Sequence, residues 1–466
     1  MSLFRNALLA AAVAPFVLLA PAMASAETIS GAMAKAYQNH PDLNAARAAL
    51  RATDENVTIA KSGFRPQIAA SASATRVSLE TQRHQFRSGS SIIPSQNIRS
   101  QYNTSSMALT ITQQIFDGFQ TLNNVRSAEA GVLANRENLR ANEISILLSA
   151  AQAYSNIARD QQIVSIRKQN LNFLKEQVRA AESRLNVGEG TRTDVAQSEA
   201  ELANAESLLA SAIAQLRTSE ATYVQIVGEM PTGIKPASPA KRGMPSNLDS
   251  AVAFGIRQNP NVLAALHAVD AAGYNVKSAE GVLLPGVVIQ GSVGRNTTDG
   301  SSDSTEGSIT ARLTVPIYQG GAEYGQVRQA KERLSERRIL VDSVRSDVRQ
   351  MIVSAYAQFE AAKAAIAANR KQISAAKLAL DGVLEERNVG QATTLDVLIQ
   401  QQDLLEAQES LVLSEYIAVV ASYSLIAAMG DLTVTSQGLQ VAEYRAEKHY
   451  EAVKDKWFGL RTVDGR

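Results

Sequence analysis

Apolar residues at Ile144, Leu148, Ala151, Tyr154, Ala158, Leu174, Val178, Ala181 and Leu185 recur at steps of three and four, the spacing of one helix face. The run that holds them, 119–186, contains no proline and one glycine. A helix of that length would span roughly 100 Å at about 1.5 Å per residue, far beyond the few turns usual in a globular domain. It ends at Asn186-Val187-Gly188-Glu189-Gly190-Thr191-Arg192-Thr193-Asp194-Val195, and a second helical run follows over 195–227. Glycine just past a helix supplies a left-handed cap. An aspartate opening the next helix accepts from its free N–H groups. The stretch 186–195 therefore predicts a tight hairpin tip, with Gly188 and Gly190 as caps and Asp194 as the N-cap.

Before the long helix the period changes to two. Ile68, Ala70, Ala72 and Ala74 alternate with Ala69, Ser71, Ser73 and Thr75. Met107, Leu109 and Ile111 alternate with Ala108, Thr110 and Thr112. This predicts two two-faced strands, 67–77 and 104–116, joined by a polar connector. A helix from Pro41 to about Gly63 leads into the first. The whole order then repeats. Gln258-Asn259-Pro260 echoes Asn39-His40-Pro41 and Pro285 echoes Pro66, both prolines at an offset of 219; Ile317-Tyr318-Gln319-Gly320 echoes Ile115-Phe116-Asp117-Gly118 at 202. The second tip, 388–397, is Asn388-Val389-Gly390-Gln391-Ala392-Thr393-Thr394-Leu395-Asp396-Val397, with Gly390 as cap and Asp396 as N-cap. The change of offset places one indel in the strand-to-strand loop.

The duplication predicts two repeats: 27–247, ending in a proline-containing linker, and 248–430. The second holds strands 286–295 and 308–318, a long helix 321–388 and a returning helix 397–429. A tail over 431–466 carries a short amphipathic helix around Ala442 to Lys456. In each half the first and last helices together approach the length of the long one, so a belt at mid-height would collect the linker, the lead-in and the tail. Phe64, Tyr102, Phe116 and Tyr318 sit near strand ends, where interfacial aromatics or local packing would both fit.

Composition narrows the function. Residues 1–26 read as an export signal: Arg5, an apolar core Ala7 to Ala20, then Ala24-Ser25-Ala26. An anchor is the other reading, but that core is too short to span a bilayer. The chain has no cysteine, which excludes disulfides, thiolate metal sites, cysteine nucleophiles and a lipidated N-terminal cysteine. No long apolar run predicts a membrane helix elsewhere. The formal net charge of +1 gives no field for nucleic acid. The four histidines, at 40, 84, 267 and 449, lack ligand spacing, and no nucleophile or dinucleotide motif survives. No enzyme, metal or cofactor is expected.

Two-faced strands fit an ordinary antiparallel sheet on a core. Here, though, the adjoining helices lead away as rods and leave the sheet uncovered. Closure removes open edges and is the only sheet solution in lipid. Four strands cannot enclose a lumen, since small barrels need about eight, so several chains must share one barrel. The fold class is α+β, mainly α. The alternative is a structural periplasmic coiled-coil protein without a channel.

The duplicated order, both NVG…DV tips and the Pro66 and Pro285 helix-to-strand turns resemble the TolC family of outer-membrane ducts. The resemblance covers the whole chain after the signal. It implies a homotrimer with a twelve-stranded transmembrane β-barrel continuous with a twelve-helix periplasmic α-barrel. It further implies a passive exit duct for drugs or secreted proteins, set in outer-membrane lipid. A periplasmic adaptor protein and an inner-membrane pump of RND or ABC type recruit it. By position, Thr193, Asp194 and Asp396 match the family's periplasmic gate, and Arg192 and Arg387 are further gate candidates. The tip residues Val187, Gly188, Gly190, Val389 and Gly390 match the adaptor-docking site. Ala392, Arg387 and Ile399 depart from the family pattern, so a different set of bonds would hold this gate.

Overall fold

A computed structural model describes residues 27–83, 85–94, 96–301 and 303–465. The expected export signal and His84 lie outside them. The chain is mostly helical with a small sheet, and it divides into two units.

One unit gathers residues 27–36, 149–239 and 362–420. It holds most of α1 (Ile29–Asn39) and parts of α3 (Gln120–Asn186), α7 (Ala322–Asn388) and α8 (Thr394–Met429), with all of α4 (Arg192–Val227). On α4, Ser198, Ala205, Ala212 and Ser219 are buried. They lie seven residues apart, the repeat of a coiled-coil seam. Small residues there let the helices approach closely. Leu174, Ala205 and Leu398 pack as one cluster, and Leu380, Val397 and Leu404 as another, with Phe173 against both. Polar ties cross the seams: Arg167 Nε to Glu409 Oε1 at 2.7 Å, Gln401 Nε2 to Asn170 Oδ1 at 2.8 Å, and Ser219 Oγ to buried Asp160 Oδ2 at 2.6 Å.

The other unit gathers residues 37–148, 240–361 and 421–465. Its helical core packs Ala251 of α5 (Leu248–Gln258) and Val262 of α6 (Pro260–Gly281) against Val348, Ile352, Leu425 and Met429. Asn259 joins two helices end to end. Its Oδ1 accepts from Asn261 N at 2.9 Å to cap α6, while its Nδ2 donates to Ala428 O at 2.8 Å, at the end of α8. Gly430 closes that end at φ +82, where a Cβ would sit 2.7 Å from Asn259 Cα. One helix bears on the expectation of no membrane helix beyond the export signal. The apolar run in α8 is long and apolar enough to cross a membrane by composition. Half of it is buried inside the protein, and Leu425 and Met429 face the core, so α8 reads as a core helix.

The sheet of this unit has the order β1-β4-β5-β6, every pair antiparallel. The strands are β1 (Gln67–Arg83), β4 (Gln96–Phe116), β5 (Gly286–Thr298) and β6 (Ser304–Thr314). The short strands β2 (Phe86–Ser88) and β3 (Ser91–Ile93) pair separately. Both β1 and β4 extend past the alternating stretches, to Arg83 and back to Gln96. There Arg76 faces Asn103 and Glu80 faces Arg99: with polar residues on both faces, alternation disappears and only the ladder continues. The tail helix, α10 (Ala446–Val453), is shorter than expected; α9 (Val434–Gln437) precedes it.

Candidate functional site: the sheet faces and the hairpin tips

Register decides what each sheet face offers. Ile68 lies opposite Ile111, which lies opposite Gly291, which lies opposite Ile309; Ala70, Leu109, Val293 and Gly307 form the next row. Period two puts these rows on one face. The other face carries Gln67, Thr112, Gln290 and Thr310, then Ala69, Thr110, Ser292 and Ser308. On the latter face Ser73 and Ser106 hydroxyls meet at 2.7 Å, and Ser292 and Ser308 at 2.9 Å. The apolar face is uncovered: Ile68 is 66% exposed, Met107 68% and Ile309 86%. In water such an exposed apolar face, backed by a mainly polar one, calls for something to cover it.

At the foot of the sheet two chain segments cross. Asp117 Oδ2 accepts from Thr121 N at 2.7 Å and starts α3. Gly118 follows at φ +67 and Phe119 at φ +65, the latter a conformation that costs a non-glycine residue. A Cβ on Gly118 would overlap the Gly281 carbonyl, and one on Gly281 would lie 2.5 Å from the Gly118 carbonyl oxygen. Phe119 sets its ring edge-on to Phe116 at 5.1 Å.

The tips follow a different capping scheme from the expected one. The N-cap of α4 is Thr191, and Asp194 is the third residue of the helix. The Thr191 hydroxyl accepts from Asp194 N at 3.2 Å, while Asp194 Oδ2 accepts from Thr191 N at 3.0 Å and from its hydroxyl at 2.7 Å. The second tip repeats this at an offset of 202. Asp396 Oδ2 accepts from Thr393 N at 2.8 Å and from the Thr393 hydroxyl at 2.7 Å, and Asp396 N donates to that hydroxyl at 3.2 Å. The reciprocal arrangement satisfies two free amides where a lone aspartate N-cap would satisfy one. Thr191 and Thr393 were legible as threonines three residues before an aspartate. These bonds, with the Thr394 hydroxyl beside Asp194, hold both carboxyls below the usual carboxylate range.

Gly188 and Gly390 take φ +82 and +80 and end the long helices as expected. Gly190 does not. A Cβ there would come within 3.0 Å of Leu185 N, so its glycine serves close approach of the turn to the helix end. Val187 and Val389 are 71% and 70% exposed. Thr193 and Arg192 are exposed as well. Arg387 is partly buried and bonds to Gln177, which burial and the Arg184 charge accompany by lowering its pKa. Arg184 itself donates to Asn388 Oδ1 at 3.3 Å. Sequence reasoning missed both Gln177 and Arg184, which lie on the partner helix end and carry no local signal.

A profile of the family described as outer membrane efflux protein matches residues 32–229 and 256–431. The chain belongs to that family. Outer membrane efflux protein BepC of Brucella suis biovar 1 is 48% identical over 95% of this chain and 94% of its own length. Outer membrane protein TolC of Escherichia coli K12 is 24% identical over 88% and 83%. The crystal structure of the Campylobacter jejuni CmeC outer membrane channel superposes with a TM-score of 0.77 at 18% identity, covering 92% of this chain and 89% of that one. This efflux family member is an outer-membrane exit duct for efflux or secretion.

Proposed function

We propose that three copies close one duct, each giving four strands to a twelve-stranded barrel and four helices to the periplasmic tunnel beneath it. One observation carries this: the exposed apolar rows lie on a sheet whose outer strands, β1 and β6, have no partner along their free edges among the described residues. In hydrocarbon an unpaired edge leaves a row of amides unsatisfied at several kcal/mol each. Pairing β1 of one copy with β6 of the next removes every edge. The Ile68 and Ile309 rows then face lipid, and the Ser and Thr rows line water.

The duct conducts drugs or secreted proteins passively. An inner-membrane pump, of RND or ABC type, delivers cargo through a periplasmic adaptor. The tips form the closed end. Asp194 and Asp396, held ionised by their threonines, ring the axis three-fold and favour cations, with Thr193 and Arg192 beside them. Arg387 supports the gate from within its own chain, through Gln177. The exposed Val187, Gly188, Val389 and Gly390, with half-buried Gly190 among them, take the adaptor. Heat-modifiable trimers in the outer-membrane fraction, with single-channel conductance after purification, are the expected result. Recovery as a soluble periplasmic rod would assign the chain to the structural coiled-coil class instead.

A further inference from the structure

The tail of the chain climbs one helix to the foot of the sheet. It runs beside α2 (Pro41–Lys61) in step with it. His449 Nδ1 meets Asp54 Oδ2 at 2.8 Å, and the Thr58 hydroxyl donates to Val453 O at 2.7 Å. Higher up, Lys61 Nζ reaches Asp455 Oδ1 at 2.7 Å, and Arg65 Nη1 donates to Lys456 O at 2.8 Å. The last of these contacts lies two residues before Gln67, where β1 begins. At that level Arg65 lies over the ring of Trp457 at 4.8 Å. Gly459, at φ +112, then turns the chain, and Asp464 Oδ2 comes back to Arg51 Nε at 3.8 Å. The tail is therefore a hooked loop whose apex stands beside the start of the sheet.

That apex is apolar and uncovered. Trp457 is 63% exposed, Phe458 87% and Leu460 fully so. Three large side chains held in water by a network of ion pairs and hydrogen bonds are costly unless something covers them. Phe64, just before Arg65, is 52% exposed, and Ile68, the first residue of the apolar rows, follows Arg65 by three residues. Lys61, Arg65, Lys456 and Arg461 lie along the loop with two acids, Asp455 on Lys61 and Asp464 on Arg51. Aromatic rings flanked by cations are the composition of a membrane–water boundary, where rings sit at headgroup depth and cations reach phosphates.

We propose that the 457–460 loop is an interfacial anchor that inserts into the periplasmic leaflet of the outer membrane, binding anionic phospholipid headgroups through Arg65, Lys456 and Arg461. It continues the lipid-facing surface of the sheet onto the tail, and so rests on the membrane reading of that sheet. It fixes the depth and tilt of the helical part against the bilayer.

The chain contains one tryptophan, and that residue is the probe. The full protein is reconstituted into phosphatidylethanolamine–phosphatidylglycerol vesicles containing lipids brominated at defined acyl positions. Trp457 emission should be blue-shifted relative to detergent-free solution and quenched most by bromines nearest the headgroup. In parallel, an Ile309→Trp reporter is placed in a Trp457→Phe background; it should be quenched by bromines near the bilayer centre. Quenching of Ile309→Trp without quenching of Trp457 overturns the anchor and leaves the barrel standing. If Trp457 is then protected from acrylamide, a second copy covers the loop; if acrylamide quenches it, water does. Quenching of neither reporter overturns both readings. Phe458→Ser with Leu460→Ser should weaken the quenching of Trp457 and leave the fold intact, as read by circular dichroism.

Discussion

Gly118 and Gly281 meet backbone to backbone, with no room for a methyl group on either, at the point where the first sheet segment passes into α3. Gly118→Ala forces a left-handed residue to carry a Cβ against a carbonyl. It should destabilise the protein by about 2 kcal/mol, and Gly281→Ala by a similar amount. Because both remove the same contact, the double variant should cost less than the sum. The check is the heating temperature at which the oligomer band dissociates on gels.

Glu143 predicts a pH dependence. Its carboxyl accepts from the Tyr37 hydroxyl at 3.3 Å, and burial pushes its pKa to about 7, against the pull of Arg47 and Arg140. In the unfolded chain the group ionises near 4.5. Between those values the folded state binds the extra proton, so stability falls as pH rises from 4.5 to 7 and is level above. The rise corresponds to about 3 kcal/mol. Glu143→Gln should therefore raise the thermal midpoint at pH 8 and leave it nearly unchanged at pH 4.5. Equal shifts at both pH values would reject burial as the cause.

At the tips, Thr191→Ala removes the N-cap of α4, at a cost of about 1 kcal/mol. Local hydrogen exchange of residues 192–198 should accelerate about fivefold, with exchange in 200–227 unchanged. Since the pKa of Asp396 is depressed by its threonine bonds, its contribution is fully present at neutral pH and is lost only as pH falls below the ordinary carboxylate range. Asp396→Asn should abolish that loss and weaken cation selectivity in bilayer conductance; unchanged selectivity would remove the acidic ring.

The two sheet faces should respond oppositely to charge. Ile309→Arg on the apolar row should destabilise insertion by about 2–4 kcal/mol, whereas Thr310→Arg, one residue along, should insert normally and change conductance. Comparable loss from both would contradict the assignment of faces.

Much of this was legible along the chain because duplication wrote it twice. The spacing of the Ile115–Gly118 and Ile317–Gly320 turns and of both tips fixed the order of elements, and alternation at Ile68–Ala74 and Met107–Thr112 marked the two-faced strands. What escaped had no local signal. Beyond Val77 and before Thr104, strands wetted on both sides lose their period. The β2–β3 hairpin is only three residues a side around Gly89. The tail's track along α2 joins residues separated by 395 positions, and Gln177 meets Arg387 across 210. The Thr191–Asp194 box was readable from its spacing. Its aspartate was assigned as the N-cap because a tip aspartate alone satisfies the same chemistry.

The central claim is that β1 of one copy pairs with β6 of another. Because the native chain has no cysteine, disulfide scanning tests it directly: one cysteine at Gln67, Ala69, Ser71 or Ser73, and one at Ser304, Glu306, Ser308 or Thr310, in every pairing. The account predicts oxidised ladders of two and three linked chains and none larger, with a preferred register. Oxidation that leaves single chains in every pairing would contradict it.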